Sequence, residues 1–533
     1  MRITKRAMVV VAVLGAIGVV SMAPAALRMP RVLGDHMVLQ RERPVPVWGW
    51  AKVGQEVTVS FAGQEKKATA GADGKWMVRL DAMEASDKPA TMTVTAGSDG
   101  KAALKDILVG EVWLGSGQSN MEMAVGGCLE AAKFIAEAKY PSVRLFTVRK
   151  RPSGEPKDDV EGRWGACSPA GVRGFSAVLY FFGRRVHKEL GVPVGLIHSS
   201  WGGTRIEPWT PPCGFRAVPS LQGIVKQVEG ASGAYRKQVG RAVADLEAWL
   251  AKAKEALAGD GEIPPAPALP RHPLNSSGAP TGLYNGMIHG LIPFALRGAL
   301  WYQGESNGGE GRSYFEKKRA LIGGWRELWG QGALAFYFVQ LANFRAPNPK
   351  AEGGDGWARL REAQTACLSI PKTGMAVIID IGNARNIHPK NKQDVGERLA
   401  LWALAKDYGK KDLVYSGPIY KGSKADGREM VLSFDHAGGG LMVGSKEGLA
   451  PTREVPGGTL KGFSIQGEDG TWHWADAKIA GETVRVSCEK VRKPRAVRYA
   501  FTINPEGCNL YNKAGLPASP FRTDVGAEWS RGK

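Results

Sequence analysis

The spacing of apolar and polar residues divides the chain into stretches with different periods. From about residue 32 to 103, short apolar runs with a period of two alternate with glycine-containing turns, as at 57–61 and 76–80. This alternation is typical of half-buried strands joined by tight turns. The pattern predicts a β-sandwich-like module over residues 27–104.

The central stretch, residues 105–412, alternates apolar strands with segments of helical period. Strands are predicted at 107–114, 143–148, 192–200, 297–302, 334–341 and 375–380. Helices are predicted at 129–138, 176–190, 314–328, 357–368 and 391–406. This alternation favours an α/β fold in which helices cover both faces of a parallel sheet. Ligands of such sheets bind beyond the carboxyl ends of the strands.

Two further stretches complete the predicted organisation. An insertion over residues 214–281 contains a charged amphipathic helix at 231–257 and a loop rich in Pro, Gly and Ser. We interpret it as an excursion near the rim of a site, with a surface decoration without function as the alternative. From about residue 413 the period of two returns, which predicts a C-terminal β-rich module over 413–533.

The N-terminus has the pattern of a targeting segment. Arg2, Lys5 and Arg6 precede an uncharged apolar run at 7–20, and small residues follow at 23–25. This order is typical of a secretory signal peptide over residues 1–26, with an uncleaved anchor helix as the alternative. No second apolar run of membrane length follows. We therefore expect a secreted or periplasmic protein that keeps no stable membrane association after cleavage.

Charge and cysteine content narrow the possible chemistry. The net charge of +20 is spread along the 533 residues, and no nucleic-acid-binding motif accompanies it. We expect a solvated basic surface and no nucleic-acid partner. The six cysteines form no CxxC pair, so we expect no zinc site and no thioredoxin-like redox chemistry. Export would permit a disulfide between Cys488 and Cys508, and buried free thiols are the alternative.

The segment from Gly110 to Met121 contains the first candidate for catalysis. An apolar strand runs into Ser119, which glycines bracket closely enough to allow a tight turn. A serine at the end of a core strand is placed where a fold presents a nucleophilic hydroxyl. A turn serine that caps a helix is the alternative. Catalysis further requires a base and oxyanion donors elsewhere in the chain.

Further polar motifs follow the carboxyl ends of other predicted strands. They are His198-Ser-Ser-Trp-Gly-Gly-Thr204, Trp301-Tyr-Gln-Gly-Glu-Ser-Asn307 and Asn386-Ile-His-Pro389. Each motif alone is a weak signal. Because the carboxyl ends of parallel strands share one edge of a sheet, we expect these motifs to converge around Ser119.

Four of these segments give the chain a resemblance to a known family. Gly117-Gln-Ser-Asn-Met121, Ser200-Trp-Gly-Gly-Thr204, Tyr302-Gln-Gly-Glu-Ser-Asn307 and Ile387-His-Pro-Lys-Asn-Lys392 resemble the sialate O-acetylesterase family. That family belongs to the SGNH hydrolase superfamily and is related to acetylxylan esterases. Met37-Val-Leu-Gln-Arg41 and Val47-Trp-Gly-Trp50 are similar to the segment that precedes the catalytic domain in bacterial members. The resemblance implies an SGNH-hydrolase-like sheet flanked by β-rich modules, and serine ester hydrolysis without a cofactor.

The resemblance and the residue chemistry together suggest a base for Ser119. Histidine titrates in the range needed to take the serine proton and return it to the leaving oxygen. The resemblance places this base on the His-Pro pair, at His388. His198 and His289 are rivals, although the strand position of His198 favours packing.

The acid that orients the histidine is harder to assign. Many SGNH enzymes have Asp three residues before the histidine, and this chain has Arg385 there, followed by Asn386. Glu305 resembles the proposed triad acid of a related HQGE motif and is the first candidate. Asp380, at a predicted strand end, is the second, and Asn386 is the third. A structural carboxylate that holds loops together is the alternative role for Glu305.

Acyl transfer also requires donors for the developing oxyanion. The backbone N–H of Ser119 is one candidate, and Gly203 is another because glycine permits close approach of the main chain. Gln303 is the third by resemblance, with Asn307 as its alternative. Arg205, together with Trp209, suits a sugar carboxylate and ring, and a rim salt bridge beside a packed tryptophan is the alternative.

These residues support three functional hypotheses. The first is a secreted serine esterase that removes O-acetyl groups from sialic acids. The second is the same chemistry on acetylated xylan or another polysaccharide, since ester hydrolysis hardly constrains the alcohol. The third is a non-catalytic glycan-binding protein on a decayed hydrolase domain. The sequence leaves the oligomeric state open.

Overall fold

The structure is a computed structural model that describes residues 27–525. The signal peptide predicted at 1–26 therefore lies outside the described residues. Among residues 27–525, no helix combines the length and the apolar character needed to cross a membrane.

The N-terminal module consists of six short strands and the first part of a long one. They are β1 (Val38–Gln40), β2 (Val45–Trp50), β3 (Glu56–Phe61), β4 (Gln64–Thr69), β5 (Lys75–Leu80), β6 (Ser86–Thr95) and β7 (Lys101–Gly117). Strand β2 pairs with β5, and β3 pairs with β4 and β6. In β5 the residues Trp76, Val78 and Leu80 are buried while their neighbours are exposed, which is the predicted period of two.

Strand β7 connects the N-terminal module to the central sheet. Its first part pairs antiparallel with β6, and its second part lies in the centre of the next sheet. The boundary predicted at residue 104 thus falls inside one continuous strand.

The central sheet adds six strands to the second part of β7. They are β8 (Tyr140–Thr147), β9 (Trp164–Cys167), β10 (Val194–Ser200), β11 (Gly298–Tyr302), β12 (Ala335–Val339) and β13 (Thr373–Ala376). Their order is β13-β12-β11-β7-β10-β8-β9. All neighbours are parallel except β8 and β9, so the prediction of a purely parallel sheet is wrong at this edge. An antiparallel edge strand needs no helical crossover, and this one follows β8 through a loop.

Helices lie along the sheet and between its strands. They are α1 (Ser119–Glu122), α2 (Ala131–Ala136), α3 (Pro169–Val172), α4 (Ala177–Leu190), α5 (Pro212–Arg216), α6 (Gln222–Ala258), α7 (Arg312–Trp329), α8 (Gly356–Ala366) and α9 (Gln393–Lys406). Strand β12 shows how both faces are covered. Its Tyr337 packs against Trp402 of α9, while Phe336 packs against Trp325 of α7. Successive side chains of a strand point to opposite faces, so α7 and α9 cover opposite faces of the sheet.

The insertion forms a helical arm that is longer than predicted. Helix α6 spans 37 residues and begins before the predicted start at residue 231. Its buried stripe includes Trp249, whose indole N–H donates to the carbonyl of Pro264 at 2.7 Å. Tyr235 packs on His272 with ring centroids 4.3 Å apart. The loop after the helix therefore covers the apolar face of the helix.

The C-terminal module is β-rich and packs on the central domain. Its strands are β14 (Ile419–Asp426), β15 (Glu429–Asp435), β16 (Leu441–Ser445), β17 (Arg453–Glu454), β18 (Phe463–Gly467), β19 (Trp472–Trp474), β20 (Asp476–Ala480), β21 (Thr483–Ser487), β22 (Pro494–Tyr499), β23 (Leu510–Asn512) and β24 (Phe521–Arg522). Arg361 of α8 is fully buried and donates to the carbonyls of Thr502 and Ile503 at 2.6 and 3.0 Å. These bonds join the module to the central domain.

The cysteines of the described residues are free thiols. Cys488 and Cys508 are free thiols and do not form the disulfide that export would permit. Both residues are half-buried, so the alternative of buried free thiols is met only in part. Burial raises the pKa of the Cys508 thiol to about 12, which keeps it protonated and unreactive.

Candidate active site

The candidate nucleophile lies directly after β7, where that strand ends between two neighbours. Gly117 pairs with Ser200 of β10 on one side and Tyr302 of β11 on the other. From β7 the chain first builds one side of the sheet and then, from β11, the other. This makes the end of β7 the topological switch point, where open α/β sheets bind their ligands. Ser119 is therefore placed where a ligand would be expected.

A glycine is required immediately before the serine turn. Gly117 has a φ of +138° and lies so close to β11 that a Cβ atom would be 2.1 Å from the carbonyl oxygen of Tyr302. Any larger residue would separate the two strands. The chain then turns sharply, and Ser119 becomes the first residue of α1.

The structure brings Ser119 and His388 into direct contact. The serine Oγ and the imidazole Nε2 are 2.8 Å apart, although the residues are separated by 269 positions in sequence. Burial, assisted by the charge of Lys392, lowers the pKa of His388 below its ordinary value. The imidazole is therefore neutral near pH 7, and its Nε2 lone pair can accept the serine proton.

The rival histidines lie elsewhere. His198 is buried, and its Nε2 is 2.6 Å from Ser200 Oγ. Burial lowers the pKa of His198 to about 4, so this ring stays uncharged in the core. His289 bonds through Nδ1 to the carbonyl of Lys157 at 3.0 Å. Neither ring contacts Ser119.

None of the predicted triad acids contacts the imidazole of His388. Glu305 accepts a hydrogen bond from the side chain of Asn120 at 2.6 Å. Asp380 forms a two-pronged ion pair with Arg398 at 2.6 and 2.7 Å. The side-chain oxygen Oδ1 of Asn386 accepts from the backbone N–H of His388 at 2.9 Å and so shapes the loop instead of holding the ring. Within residues 27–525, no carboxylate bonds to His388 Nδ1.

A buried polar cluster lies directly behind the Ser119–His388 pair. The Asn120 amide N–H groups donate to Glu305 Oε1 at 2.6 Å and to the carbonyl of Ile387 at 3.0 Å. Lys392 Nζ donates to Asn120 Oδ1 at 2.5 Å. Burial raises the pKa of Glu305 and lowers that of Lys392 to about 7. We call Asn120, Glu305 and Lys392 the Asn120 cluster.

Two backbone N–H groups beside Ser119 remain available for an oxyanion. Among the residues that the structure describes, neither the N–H of Ser119 nor that of Gly203 has a protein acceptor. Gly203 is exposed with a φ of +76°, a conformation that glycine adopts without strain. Gly202 packs against the serine, since a Cβ atom on it would lie 3.2 Å from Ser119 Cβ. Its own N–H donates to Glu122 Oε2 at 2.5 Å, which fixes the glycine turn.

The side-chain amides predicted as a third donor are already engaged. Gln303 is fully buried and its amide donates to the carbonyl of Thr204 at 3.2 Å and to Asn307 Oδ1 at 2.6 Å. The amide of Asn307 donates to Glu207 Oε2 at 3.2 Å. The structure thus places both amides between two strand-end loops, which they hold together, and both amide N–H groups of Gln303 are engaged in this way.

Arg205 takes part in an ion-pair cluster at the rim. Its guanidinium contacts Glu207 and Glu310, and Lys317 pairs with the same two carboxylates at 2.7 and 2.6 Å. This geometry corresponds to the rim salt bridge that was the alternative to carboxylate binding. Trp209 is fully buried, so the predicted contact of this residue with a sugar ring has no exposed face to use.

Sequence reasoning overlooked two side chains beside the glycine turn. Lys150 forms an ion pair with Glu122 and lies 5.4 Å from the ring centroid of the half-buried Trp201. Trp201 belongs to the second motif, and its aromatic type was the available signal. Asn120 and Lys392 likewise lie inside the motifs already quoted, but their contacts are visible only in the fold. Among residues 27–525, no group of three or more His, Cys, Asp or Glu side chains could hold a metal ion.

Several known proteins are similar in sequence to this chain over most of its length. Sialate O-acetylesterase of Rattus norvegicus is 30% identical over 556 residues, which covers 94% of this chain and 95% of that protein. Sialate O-acetylesterase of Mus musculus is 32% identical over 435 residues, covering 75% and 77%. Sialate O-acetylesterase of Homo sapiens is 30% identical over 541 residues, covering 94% and 93%. No protein-family model matches the chain.

One solved structure extends the similarity to the fold. It is a carbohydrate acetylesterase from Xanthomonas citri, 38% identical, with a TM-score of 0.77. The match covers 94% of this chain and 100% of that chain. The similarity therefore includes the flanking β-rich modules as well as the central sheet.

Proposed function

Because the chain belongs to the sialate O-acetylesterase family, as its sequence motifs predicted, we propose that it removes O-acetyl groups from sugars through Ser119 and His388. The observation that carries this mechanism is the 2.8 Å contact between Ser119 Oγ and His388 Nε2 at the switch point of the sheet. The family makes the protein an ester hydrolase. The serine mechanism and the residue roles are the proposal.

The proposed reaction has two acyl-transfer steps. Ser119 Oγ attacks the acetyl carbonyl carbon while His388 Nε2 takes the serine proton. The N–H groups of Ser119 and Gly203 stabilise the oxyanion, and loss of one such donor typically costs about 2.7–4 kcal/mol. His388 then returns the proton to the sugar oxygen, which leaves as the alcohol. Water, deprotonated by the same histidine, hydrolyses the acetyl-serine and releases acetate.

The proposal uses a serine–histidine pair without a carboxylate on the imidazole. Asn386 supports this arrangement, since its hydrogen bond to the backbone of His388 shapes the loop that presents the ring. The predicted assignment of Glu305 to a triad has no supporting contact. We also propose that the catalytic domain is of the SGNH type, which is supported by the sheet order and by the serine, glycine and histidine segments at one sheet edge.

Two substrate classes fit the proposed mechanism. Sialic acid esters are supported by the curated relatives, which are named for that activity. A neutral polysaccharide ester is the second candidate, and one observation favours it. Arg205, the residue predicted to bind a sugar carboxylate, is held by two glutamates. An acidic substrate would have to displace those glutamates or use another cation.

The location of the protein is part of the proposal. We propose that residues 1–26 direct export and that the enzyme acts in the periplasm or outside the cell. The charge pattern of that segment supports this assignment.

One experiment tests the catalytic proposal. Acetate release from an aryl acetate is measured with the wild-type protein and with Ser119→Ala, and both are checked for folding by circular dichroism. We expect Ser119→Ala to lose nearly all activity. Equal rates would contradict the serine mechanism, and no activity in the folded wild type would favour the non-catalytic glycan-binding alternative. Comparison of O-acetylated sialic acid with acetylated xylan then separates the substrate classes.

A further inference from the structure

We propose that the Asn120 cluster is a positioning device: Glu305 acts through Asn120 to fix the serine turn against the histidine loop, so that Ser119 Oγ and His388 Nε2 stay within hydrogen-bond distance. The inference rests on the proposed serine mechanism and assigns to Glu305 a role other than triad acid. It makes Asn120 and Lys392 positioning residues of the same reaction.

The Asn120 side chain joins the two halves of the catalytic pair. Asn120 directly follows Ser119, and its amide N–H donates to the carbonyl of Ile387, which directly precedes His388. One side chain therefore connects the neighbours of both reacting groups. A change in this bond would alter the distance between Ser119 Oγ and His388 Nε2, on which proton transfer depends.

The two charged members determine which way the Asn120 amide points. The oxygen of the amide faces the ammonium of Lys392, and its nitrogen faces the carboxylate of Glu305. A flipped amide would place its N–H groups against the ammonium and its oxygen against the carboxylate, losing both hydrogen bonds. Glu305 thus reaches the histidine loop through the amide, because it orients the N–H that holds Ile387.

Burying these polar groups costs desolvation free energy that apolar side chains in the same space would not cost. Lys392 has no exposed surface; its ammonium donates to Asn120 and lies 5.1 Å from the ring centroid of Tyr302. Glu305 Oε2 is buried without a hydrogen-bond partner among the described residues. Apolar residues of similar volume would often be as stable or more stable. A buried unsatisfied oxygen beside a catalytic pair requires an explanation, and positioning supplies one.

Lys392 also acts on the histidine electrostatically. Burial is the larger cause of the lowered pKa of His388, and the positive charge of Lys392 adds to it by opposing protonation of the imidazole. Glu305 in turn favours the charged form of Lys392. The cluster therefore keeps the imidazole both placed and unprotonated for its first proton transfer.

Glu305→Gln separates positioning from the triad role. A glutamine oxygen still accepts the Asn120 N–H, so we expect kcat on an aryl acetate to stay within about tenfold of wild type. Loss of a true triad acid typically lowers kcat by about 10⁴-fold, because the imidazolium loses its partner. A loss of that size in a folded Glu305→Gln protein would overturn the proposal.

Asn120→Leu removes the connection itself at similar volume. We expect kcat to fall by about 10²-fold while KM for the small ester changes little, since a misplaced pair of reacting groups affects chemistry more than binding. A kcat within threefold of wild type would contradict the positioning role. If this variant does not fold, the Glu305→Gln and Lys392→Met measurements decide the question.

Lys392→Met has a matched control in Lys318→Met. Lys318 is equally buried, and burial lowers its pKa to about 7 as well, but it lies over the ring of Phe338 outside the site. We expect Lys392→Met to lower kcat and move the acidic limb of the kcat/KM profile to higher pH. Lys318→Met should leave the limb where it is in the wild type. An unchanged limb in Lys392→Met would refute the electrostatic part of the proposal.

These results remain distinct from a failure of the proposed function. If Ser119→Ala is as active as the wild type, the serine mechanism itself is wrong and the cluster has no catalytic pair to position. If Ser119→Ala is inactive while Asn120→Leu and Lys392→Met behave as wild type, only the positioning inference fails.

Discussion

Two buried carboxylates lie at opposite ends of the central sheet, and their surroundings differ. Glu111 lies near the start of the parallel region of β7, opposite Val194, the first residue of β10, and we call this side of the sheet the lower end. Glu305 lies beyond the carboxyl ends of the strands, just after β11 and beside the candidate nucleophile, and we call this side the upper end. Both carboxylates have lost most of their hydration. They differ in how completely the protein replaces it.

At the lower end, Glu111 has strong partners for both oxygens. Arg297 donates to its two oxygens at 2.8 and 3.0 Å, Arg41 donates at 2.6 Å and Gln40 at 3.0 Å. Burial alone would raise the pKa of this carboxyl, but the hydrogen bonds and charge of Arg297, together with Arg41 and Gln40, hold it below its ordinary value. This carboxylate joins the N-terminal module to the sheet.

At the upper end, Glu305 Oε1 accepts one strong hydrogen bond, and Oε2 has no hydrogen-bond partner within residues 27–525. Burial therefore prevails over its hydrogen bonds, and the pKa of this carboxyl is raised. The two carboxylates thus differ in how fully the protein replaces their hydration, and the less satisfied one lies beside the candidate catalytic pair. Underused polar groups with perturbed pKa values are typical of functional sites.

The largest expected effect concerns the upper end. We expect His388→Ala to lower kcat by about 10⁴-fold or more, because Ser119 then has no base. The Ser119→Ala/His388→Ala double variant should be no worse than either single variant, since the two groups act as a unit. Acetate release from an aryl acetate measures both. Additive losses would show that the two residues do not form one catalytic pair.

The next effect concerns stability at the lower end. Glu111→Gln removes the charge between two arginines, and breaking a buried ion pair typically costs about 3–5 kcal/mol. The folded-state pKa of Glu111 is lowered. The stabilisation by its ionised form is therefore fully present above its unfolded-state pKa and is lost as pH falls through its folded-state pKa. Urea unfolding of both proteins at pH 7 and at pH 3 measures this. The difference in free energy of unfolding between the wild type and Glu111→Gln should be smaller at pH 3.

A control sharpens the comparison of the two carboxylates. Glu305→Gln should cost much less stability at pH 7, since its ionised form is already disfavoured in the folded state. The turnover of folded Glu111→Gln should match that of the wild type. If both variants lose the same stability and the same activity, the proposed division between the two ends is wrong.

A smaller effect concerns pH. The pKa of His388 is lowered, so the protonated, inactive imidazole should appear only below its ordinary value of about 6.5. We expect kcat/KM to be constant near neutral pH and to fall about tenfold per pH unit below the limb. A profile from pH 4 to 8 on an aryl acetate measures it. A limb above pH 7 would require a carboxylate on the imidazole that the structure does not show.

The smallest expected effect concerns the rim. Arg205 is 46% exposed, and an ion pair of that exposure is typically worth about 0–1 kcal/mol. We expect Arg205→Ala to change the free energy of unfolding and the kinetics on an aryl acetate very little. The informative measurement is KM for O-acetylated sialic acid against acetylated xylan. A selective increase for the acidic substrate would restore Arg205 to the predicted carboxylate-binding role.

The spacing of apolar residues was sufficient to predict the main helices and strands of the central domain. Helix α4 was predicted one residue early, and β10 and β11 were predicted within two residues of their starts. Helix α6 begins nine residues before its predicted start. Gly223 and Gly230 disfavour a helix in this stretch, but Val225 and Val228 are buried by tertiary packing. The antiparallel β9 was overlooked, since four residues give too little period to identify.

The candidate site shows the same division. Residue chemistry and resemblance singled out Ser119, His388 and Gly203, which the fold brings to one sheet edge. The same reasoning could not foresee that the amide N–H groups of Gln303 donate to Thr204 and Asn307 and so have no N–H left for an oxyanion. Hydrogen bonds over such distances in sequence depend on which loops become neighbours, and no local pattern encodes that.

By itself the sequence determined the periods, the glycine at the serine turn and the family of the protein, because these depend on residue type and local spacing. Only the tertiary structure decided which partner each buried polar group finds. It gave Glu111 two arginines and Glu305 an asparagine, and within residues 27–525 it gave the imidazole of His388 no carboxylate. The physical reason is that desolvation and hydrogen bonding act between residues adjacent in space, whatever their distance along the chain.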